Sequence, residues 1–351
     1  MKTDAVILGG GLAGAAMAAR LCEAGADVLL FDAQHPDSAS QVAAGLYNVV
    51  TGRFGAKTWM ADLLLAELGQ WLDRPMMEPL RGMRHPMEIY RPFPDPGTYN
   101  KWRSRAGQAD FESIVAFQET PRLPELIENP HGGISILPCG WMEAGPFTEG
   151  LLRLLEQSGR LRRVRASLPY ESILLREQTL RFEGENISFG HLICCEGHRL
   201  LHNPWWSHLP IIPNKGEILI LEAGGWELSF ILSRHVYLIP LGGSRYLTGS
   251  TYQNRFSDPF PSEAGKAEIL GQLGEAFRGE YRVLEHRAGI RPTTPDRRPI
   301  AGTHPAYPWL HVLGGFGTKG VLSAPWLSRL LAAKLLHGED GLPPEVSPER
   351  F

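Results

Sequence analysis

The sequence predicts an α/β protein in which a Rossmann-like nucleotide-binding domain is interrupted by a discontinuous α+β domain built on a mostly antiparallel sheet. Three observations predict it. A short apolar run at 5–8 leads through Gly9-Gly10-Gly11-Leu12-Ala13-Gly14 into an Ala-rich helical stretch, the opening of a βαβ unit. Proline-punctuated, strand-like sequence then occupies 74–139, and hairpin-spaced strands follow at 218–221, 236–240 and 245–249. Apolar strands that end in glycine return at 192–197 and 310–313.

Taken in order, the first helix runs to about Ala24, Gly25 ends it, and 27–31 reads as a second buried strand stopping at Asp32. The stretch 36–57 is small and polar, with Ser38, Ser40, Ala43, Ala44 and Gly45, so it reads as a loop that approaches a ligand closely. Helices are expected at 58–72, 147–158 and 263–277, the last capped by Ser262, and a strand at 87–93. By composition 288–299 is a loop, 314–320 a glycine loop, 321–337 a helix, and the proline-rich tail from Gly338 lies on the surface. The expected division gives 1–78, 140–210 and 286–351 to the nucleotide domain, and 79–139 with 211–285 to the other.

Composition sets outer bounds. A chain of 351 residues suits two packed domains, and 43% hydrophobic with 21% charged residues excludes a disordered chain. A net charge of -3 gives no overall positive field for nucleic acid, so none is expected as a partner. Cys22, Cys139, Cys194 and Cys195 include an adjacent pair but no CxxC, which suggests neither a metal cage nor a disulfide framework. No run approaches the roughly 20 apolar residues of a membrane span. The nucleotide motif also begins too near Met1 for a leader to precede it, so a cytoplasmic location is expected by elimination. Trp205 and Trp206 are expected in a surface or interface patch.

The chemistry begins at the GxGxxG of Gly9, Gly11 and Gly14. Glycines there allow a tight turn, the near approach of a pyrophosphate and close helix–sheet packing. Asp32 follows Gly14 by 18 residues, where a strand-end carboxylate can accept hydrogen bonds from a ribose diol. This motif by itself fits NAD and FAD equally.

With Ala43-Ala44-Gly45-Leu46, Gly289-Ile290-Arg291-Pro292-Thr293 and the segment 314–325 following in this order, the chain resembles, over nearly its whole length, the FAD-dependent oxidoreductases that include glycine oxidase, sarcosine oxidase and D-amino-acid oxidase. The resemblance implies an FAD-binding domain and a substrate-binding domain. FAD is expected to be held non-covalently, since no cysteine stands where covalent attachment would need it. The implied FAD contacts are Gly9, Gly11, Leu12, Ala13, Gly14, Asp32, Ala33, Ser40, Ala43, Ala44, Gly45, Leu46, Leu168, Gly197, Arg291, Gly315, Gly317, Thr318, Lys319 and Gly320. The positive end of the helix near Val321, with Thr318 and Lys319, would stabilise an anionic reduced flavin.

Arg291 aligns with the arginine that holds the substrate carboxylate in glycine-oxidase-like members, a task suited to its bidentate fork; the alternative is an ion pair with Asp296. Tyr237, Tyr252 and Tyr90, the last beside Arg91, fall on substrate-domain strands, and His85 lies near them in sequence. Lys215-Gly216-Glu217 resembles a structural turn of the family. The implied reaction is oxidation of the C–N bond of a small amine or amino acid, with Arg291, Tyr252, Tyr237 and Lys319 as catalytic candidates. The alternatives are a tRNA-modifying oxidase acting on an aminomethyl-uridine side chain and a non-catalytic flavin-binding protein. Arg53 and Lys57 add positive charge near the site, pointing to a substrate more anionic than glycine. The partner expected is thus a small molecule, with a homo-oligomer left open.

Overall fold

The apolar N-terminal run forms the strand Lys2–Leu8, flanked in parallel by Val28–Phe31 and Glu185–Cys194. Leu161–Val164 extends the sheet beyond Val28–Phe31, and Tyr307–Gly314 pairs in parallel with Glu185–Cys194. Three antiparallel strands, Ile173–Leu174, Thr179–Phe182 and Ile300–His304, complete eight. Val28–Phe31 is wholly buried, as a strand covered on both faces must be, which explains its uninterrupted apolar sequence. The computed structural model describes residues 2–51, 55–108 and 110–351.

One face of this sheet carries the helix Leu12–Glu23. Its Ala15, Ala16, Ala18 and Ala19 are fully buried, and such small side chains let the helices Ala144–Gln157 and Gly320–His337 pack closely against it. Arg20, buried on the same helix, donates to the Pro325 carbonyl at 3.2 Å.

The second sheet also has eight strands, in the order Tyr281–Thr293, Ile212–Ala223, Arg245–Gly249, Tyr237–Gly242, Ile231–Ser233, Ile89–Pro92, Gly133–Ile136 and Val115–Gln118. All neighbours are antiparallel except Ile231–Ser233 with Ile89–Pro92. The helix Glu263–Gly274 docks on it through Glu217. That carboxylate is fully buried and accepts from Ser262 N at 2.9 Å and Ser262 Oγ at 2.8 Å, with Lys215 Nζ at 3.2 Å and His286 Nε2 at 2.8 Å. Burial pushes its pKa up, but the hydrogen bonds from Ser262 and the Lys215 ammonium outweigh that and hold it below the ordinary value. Ser262 Oγ also caps the helix, accepting from Gly265 N at 3.1 Å.

Several expectations change. Residues 288–293 are not loop but the end of the strand Tyr281–Thr293, and the boundary expected at 286 falls inside it. Gly289 and Pro292 hid the strand; a proline is tolerated because this strand is at the sheet's edge and faces only one neighbour. The stretch 74–139 contains a 3₁₀ helix, Pro75–Met83, and an α-helix, Pro96–Ala106, opened by Asp95 accepting from Thr98 N at 2.8 Å. Trp206 is fully buried rather than in a surface patch. The tail does not simply lie on the surface, because Val346 and Pro348 are buried beside Ile300–His304. All four cysteines are free and buried. Among the described residues no helix is long and apolar enough to cross a membrane, and no cluster of three metal-ligating side chains occurs.

Candidate functional site

The strand Lys2–Leu8 ends at a turn that only glycine can make. A Cβ on Gly9, whose φ is +104°, would fall 2.4 Å from the Cys195 carbonyl oxygen. The turn delivers the chain into Leu12–Glu23 with Gly11 at the cap and no side chain capping it. The helix therefore presents its positive end to the space in front. Leu12 N donates to Ser40 Oγ at 3.0 Å, which holds the small-residue loop across the turn. Asp32 stands at the end of the neighbouring strand. Its Oδ2 takes Arg163 Nη2 at 2.7 Å and its Oδ1 accepts from Gln34 N at 3.1 Å. Arg163 was not foreseen, being 131 residues away in the chain.

These groups open onto one cavity of about 1980 Å³ that runs from the first sheet to the second. Of the residues expected to hold FAD, all but Gly14 line it: Gly9, Gly11, Leu12, Ala13, Asp32, Ala33, Ser40, Ala43, Ala44, Gly45, Leu46, Leu168, Gly197, Arg291, Gly315, Gly317, Thr318, Lys319 and Gly320. Gly14 lies behind the turn, packed against the Gly9 carbonyl. A glycine cradle, a helix start whose N-cap residue has no side chain, and a strand-end carboxylate on one cavity are the parts a dinucleotide needs, so these residues fit FAD. The far glycine loop is tied in by Gly317 N donating to the Pro292 carbonyl at 2.8 Å, next to Arg291. Burial lowers the Lys319 pKa, and the Arg297 charge lowers it further.

Arg291 points into the cavity from the edge strand. Its Nη1 donates to Asn214 Oδ1 at 2.7 Å and to the Thr251 carbonyl at 3.1 Å, its Nη2 bonds Ser250 Oγ, and the guanidinium carbon stands 4.5 Å above the Tyr252 ring. A Cβ on Gly216 would fall 2.0 Å from this guanidinium, so the glycine of Lys215-Gly216-Glu217 makes room for it. Asp296 pairs instead with Arg350, at 3.0 Å. Among the described residues no carboxylate forms an ion pair with Arg291. Burial draws its pKa down, partly countered by Tyr252. A largely buried cation held only by neutral groups is a seat for an anion.

Tyr237 and Tyr252 both line the cavity, Tyr252 65% exposed and Tyr237 against Arg91, which the sequence marked only as Tyr90's neighbour. Tyr90 itself is buried in the core, accepting from Asn129 Nδ2 at 2.9 Å. His85 is outside the cavity lining, 2.9 Å from Glu143 and stacked on Trp141. Lys57 lines the cavity but pairs with Asp62 at 2.8 Å, and Arg53 lies outside the described residues. Asn214, Ser250 and Thr251 were missed altogether; short polar residues at strand ends carry no signal until the strands are paired.

Beside Gly197, Glu196 accepts from Asn203 Nδ2 at 2.7 Å and from Tyr170 OH at 2.5 Å. Burial raises its carboxyl from 4.5 to about 7, against the partial opposition of those bonds. Since the folded value is the higher, this group's contribution to stability is full below pH 4.5, falls as pH rises through 7, and is flat above. Wild-type protein is expected to lose about 3 kcal/mol over that window, at 1.36 kcal/mol per pKa unit, and Glu196→Gln to lose little. Urea unfolding across pH reads this directly; parallel profiles for the two proteins would refute the raised value.

Comparison with known proteins agrees with the cavity. The sequence profile of the FAD dependent oxidoreductase family, DAO, matches residues 4–334. A bifunctional protein of tRNA 5-methylaminomethyl-2-thiouridine biosynthesis, MnmC of Aeromonas salmonicida, is 24% identical over 95% of this chain and 56% of its own length. The chain spans about half the length of the curated relatives of this kind that it matches. Among solved structures, glycine oxidase from Geobacillus kaustophilus superposes with a TM-score of 0.83 at 20% identity, over 100% of this chain and 99% of that one. Iminodiacetate oxidase from Chelativorans sp. BNC1 gives 0.81 at 22%, over 98% of each chain.

Proposed function

The chain belongs to the DAO family of FAD dependent oxidoreductases, and from that premise we propose that it oxidises the C–N bond of a small amine carrying a carboxylate. The observation that carries the reading is Arg291, a guanidinium in the cavity with neutral partners and no ion-paired carboxylate among the described residues. The glycine turn, the small-residue loop and the far glycine loop would hold FAD non-covalently, and when bound it would supply the hydride acceptor.

The chain's own part is placement. Arg291 binds the substrate carboxylate in a fork, and Asn214, Ser250 and the Thr251 carbonyl fix the fork's direction. Tyr252 stacks beneath the guanidinium and stiffens it. With the carboxylate anchored, the amine enters neutral, its Cα–H bond breaks with both electrons leaving as hydride, and the nitrogen lone pair closes a C=N bond. Water then adds to the imine, releasing the amine and a carbonyl acid, and an external two-electron acceptor completes the cycle. No protein base is required for these steps. Lys319 and the start of Gly320–His337 supply positive potential to the same cavity. The two-domain division is part of the same reading, the second sheet furnishing Arg291, Tyr237 and the strand leading to Tyr252.

A second reading has one observation in its favour. Among the described residues lining the cavity, lysine and arginine outnumber aspartate and glutamate ten to five, although the chain's net charge is -3. That local excess suits an amine carried on RNA, the class of substrate named for the MnmC relative. Anaerobic bleaching of the flavin by glycine, sarcosine, D-alanine, proline and iminodiacetate separates the two. Bleaching by small carboxylated amines supports the first; bleaching only by tRNA supports the second, and bleaching by neither refutes both.

A further inference from the structure

Arg91 comes from Ile89–Pro92, five strands along the sheet from the strand of Arg291, and both side chains line the same cavity. Arg91 hydrogen-bonds the Tyr237 phenol and lies 5.7 Å from the centroid of the Trp102 ring. Tyr237 pairs across the sheet with Gly249, and the next residue, Ser250, is the one Arg291 reaches. Neighbouring strands stand about 4.8 Å apart. The Tyr252 ring lies under Arg291, and all four side chains line the cavity.

The wall behind Arg91 is positive as well. Arg105, on Pro96–Ala106, lies 5.9 Å from the Trp102 ring centroid and donates to the Gly55 carbonyl at 2.8 Å, so it is fixed beside the cavity. The acid on this wall, Asp95, is engaged by Thr98 N and Thr98 Oγ, both at 2.8 Å, in capping that helix. An amine with one carboxylate would satisfy Arg291 and bring nothing anionic to this second wall.

We infer that the substrate is a dicarboxylic amine, its first carboxylate on Arg291 and its second on Arg91, an inference that rests on reading the site as an amine oxidase. Two acid arms on one nitrogen would meet the two guanidiniums on either side of the tyrosine pair. With FAD as the two-electron oxidant, oxidation of one arm would remove two electrons and a proton as hydride, and water would cleave the resulting imine into an amino acid and a keto or aldehydic acid. Arg91 takes no part in that bond-breaking and sets specificity.

Iminodiacetate and sarcosine make the test, since they differ by one carboxylate. In the holoenzyme, iminodiacetate is expected to reduce the flavin with kcat/KM at least about 10-fold above sarcosine. Arg91→Gln should raise KM for iminodiacetate by about 10- to 100-fold, cutting kcat/KM for it about 10-fold more than for sarcosine, while Arg91→Lys recovers part of the loss. Should Arg91→Gln fold poorly, the wild type alone decides: iminodiacetate should raise the thermal midpoint of the oxidised protein more than sarcosine does. Equal losses on both substrates would overturn the inference by making Arg91 structural, and so would a wild type that prefers sarcosine. Reduction by sarcosine alone refutes the second carboxylate and leaves the amine-oxidase reading standing; reduction by no amine refutes both.

Discussion

Arg291→Met lowers kcat/KM for carboxylated amines by about 10²- to 10³-fold, since removing one member of a buried, hydrogen-bonded charge pair costs roughly 2–5 kcal/mol. The loss should fall mainly on KM, as expected for an interaction made in the ground state as well as in the transition state. Methionine keeps much of the volume over Tyr252, so flavin content and thermal midpoint should hold while kcat/KM collapses. Arg291→Lys should recover little, because a point charge cannot reproduce the fork that Asn214, Ser250 and Thr251 aim. Stopped-flow flavin reduction measures the effect; a variant within 3-fold of wild type, a difference of about 0.7 kcal/mol, would remove Arg291 from substrate binding and with it the central support of the proposed activity.

Gly14→Val yields protein without FAD, or no folded protein. A Cβ at Gly14 would sit 1.9 Å from the Gly9 carbonyl oxygen, and since that contact is backbone no side chain can swing aside. The turn must open, which carries the start of Leu12–Glu23 away from the cavity and costs upward of about 4 kcal/mol. Gly69→Ala is the control. Gly69 lies inside Ala61–Leu72 with nothing within 4 Å of an added Cβ, and alanine there should stabilise by about 0.5–1 kcal/mol. The ratio of visible to ultraviolet absorbance after purification reads the first and urea unfolding the control; Gly14→Val protein as yellow as wild type would disprove the constraint.

The glycine turn was legible in the sequence because its requirement is local. Backbone geometry fixes which residue fits, so Gly9, Gly11 and Gly14 declare themselves wherever they stand. Arg291 was legible only through resemblance to a family, since its own strand was disguised: Gly289 and Pro292 are loop residues by composition, and their strand is tolerated only at an edge that no local window reveals. Gly216 read as part of a structural turn, and its function as the floor beneath Arg291 emerges only when Ile212–Ala223 pairs with Tyr281–Thr293. Arg91 was hidden for a similar reason. Its neighbour Tyr90 points into the core and Arg91 into the cavity, and the alternation along a strand does not say which face is which until the sheet is placed. Arg163, which engages Asp32, lies on a strand whose parallel partner is set by tertiary pairing alone.

The order of strands in the first sheet also governs how the protein comes to exist on a ribosome. Lys2–Leu8 is made well before its parallel neighbour Glu185–Cys194, whose own parallel neighbour is Tyr307–Gly314. At about 5–20 residues per second, Lys2–Leu8 precedes that last strand by roughly 15–60 s. The apolar residues 5–8 keep an open edge until Glu185–Cys194 emerges, after roughly 9–37 s, and the cradle for the dinucleotide stays incomplete until Tyr307–Gly314 follows. Cofactor capture therefore follows the synthesis of Tyr307–Gly314, the strand that completes the cradle.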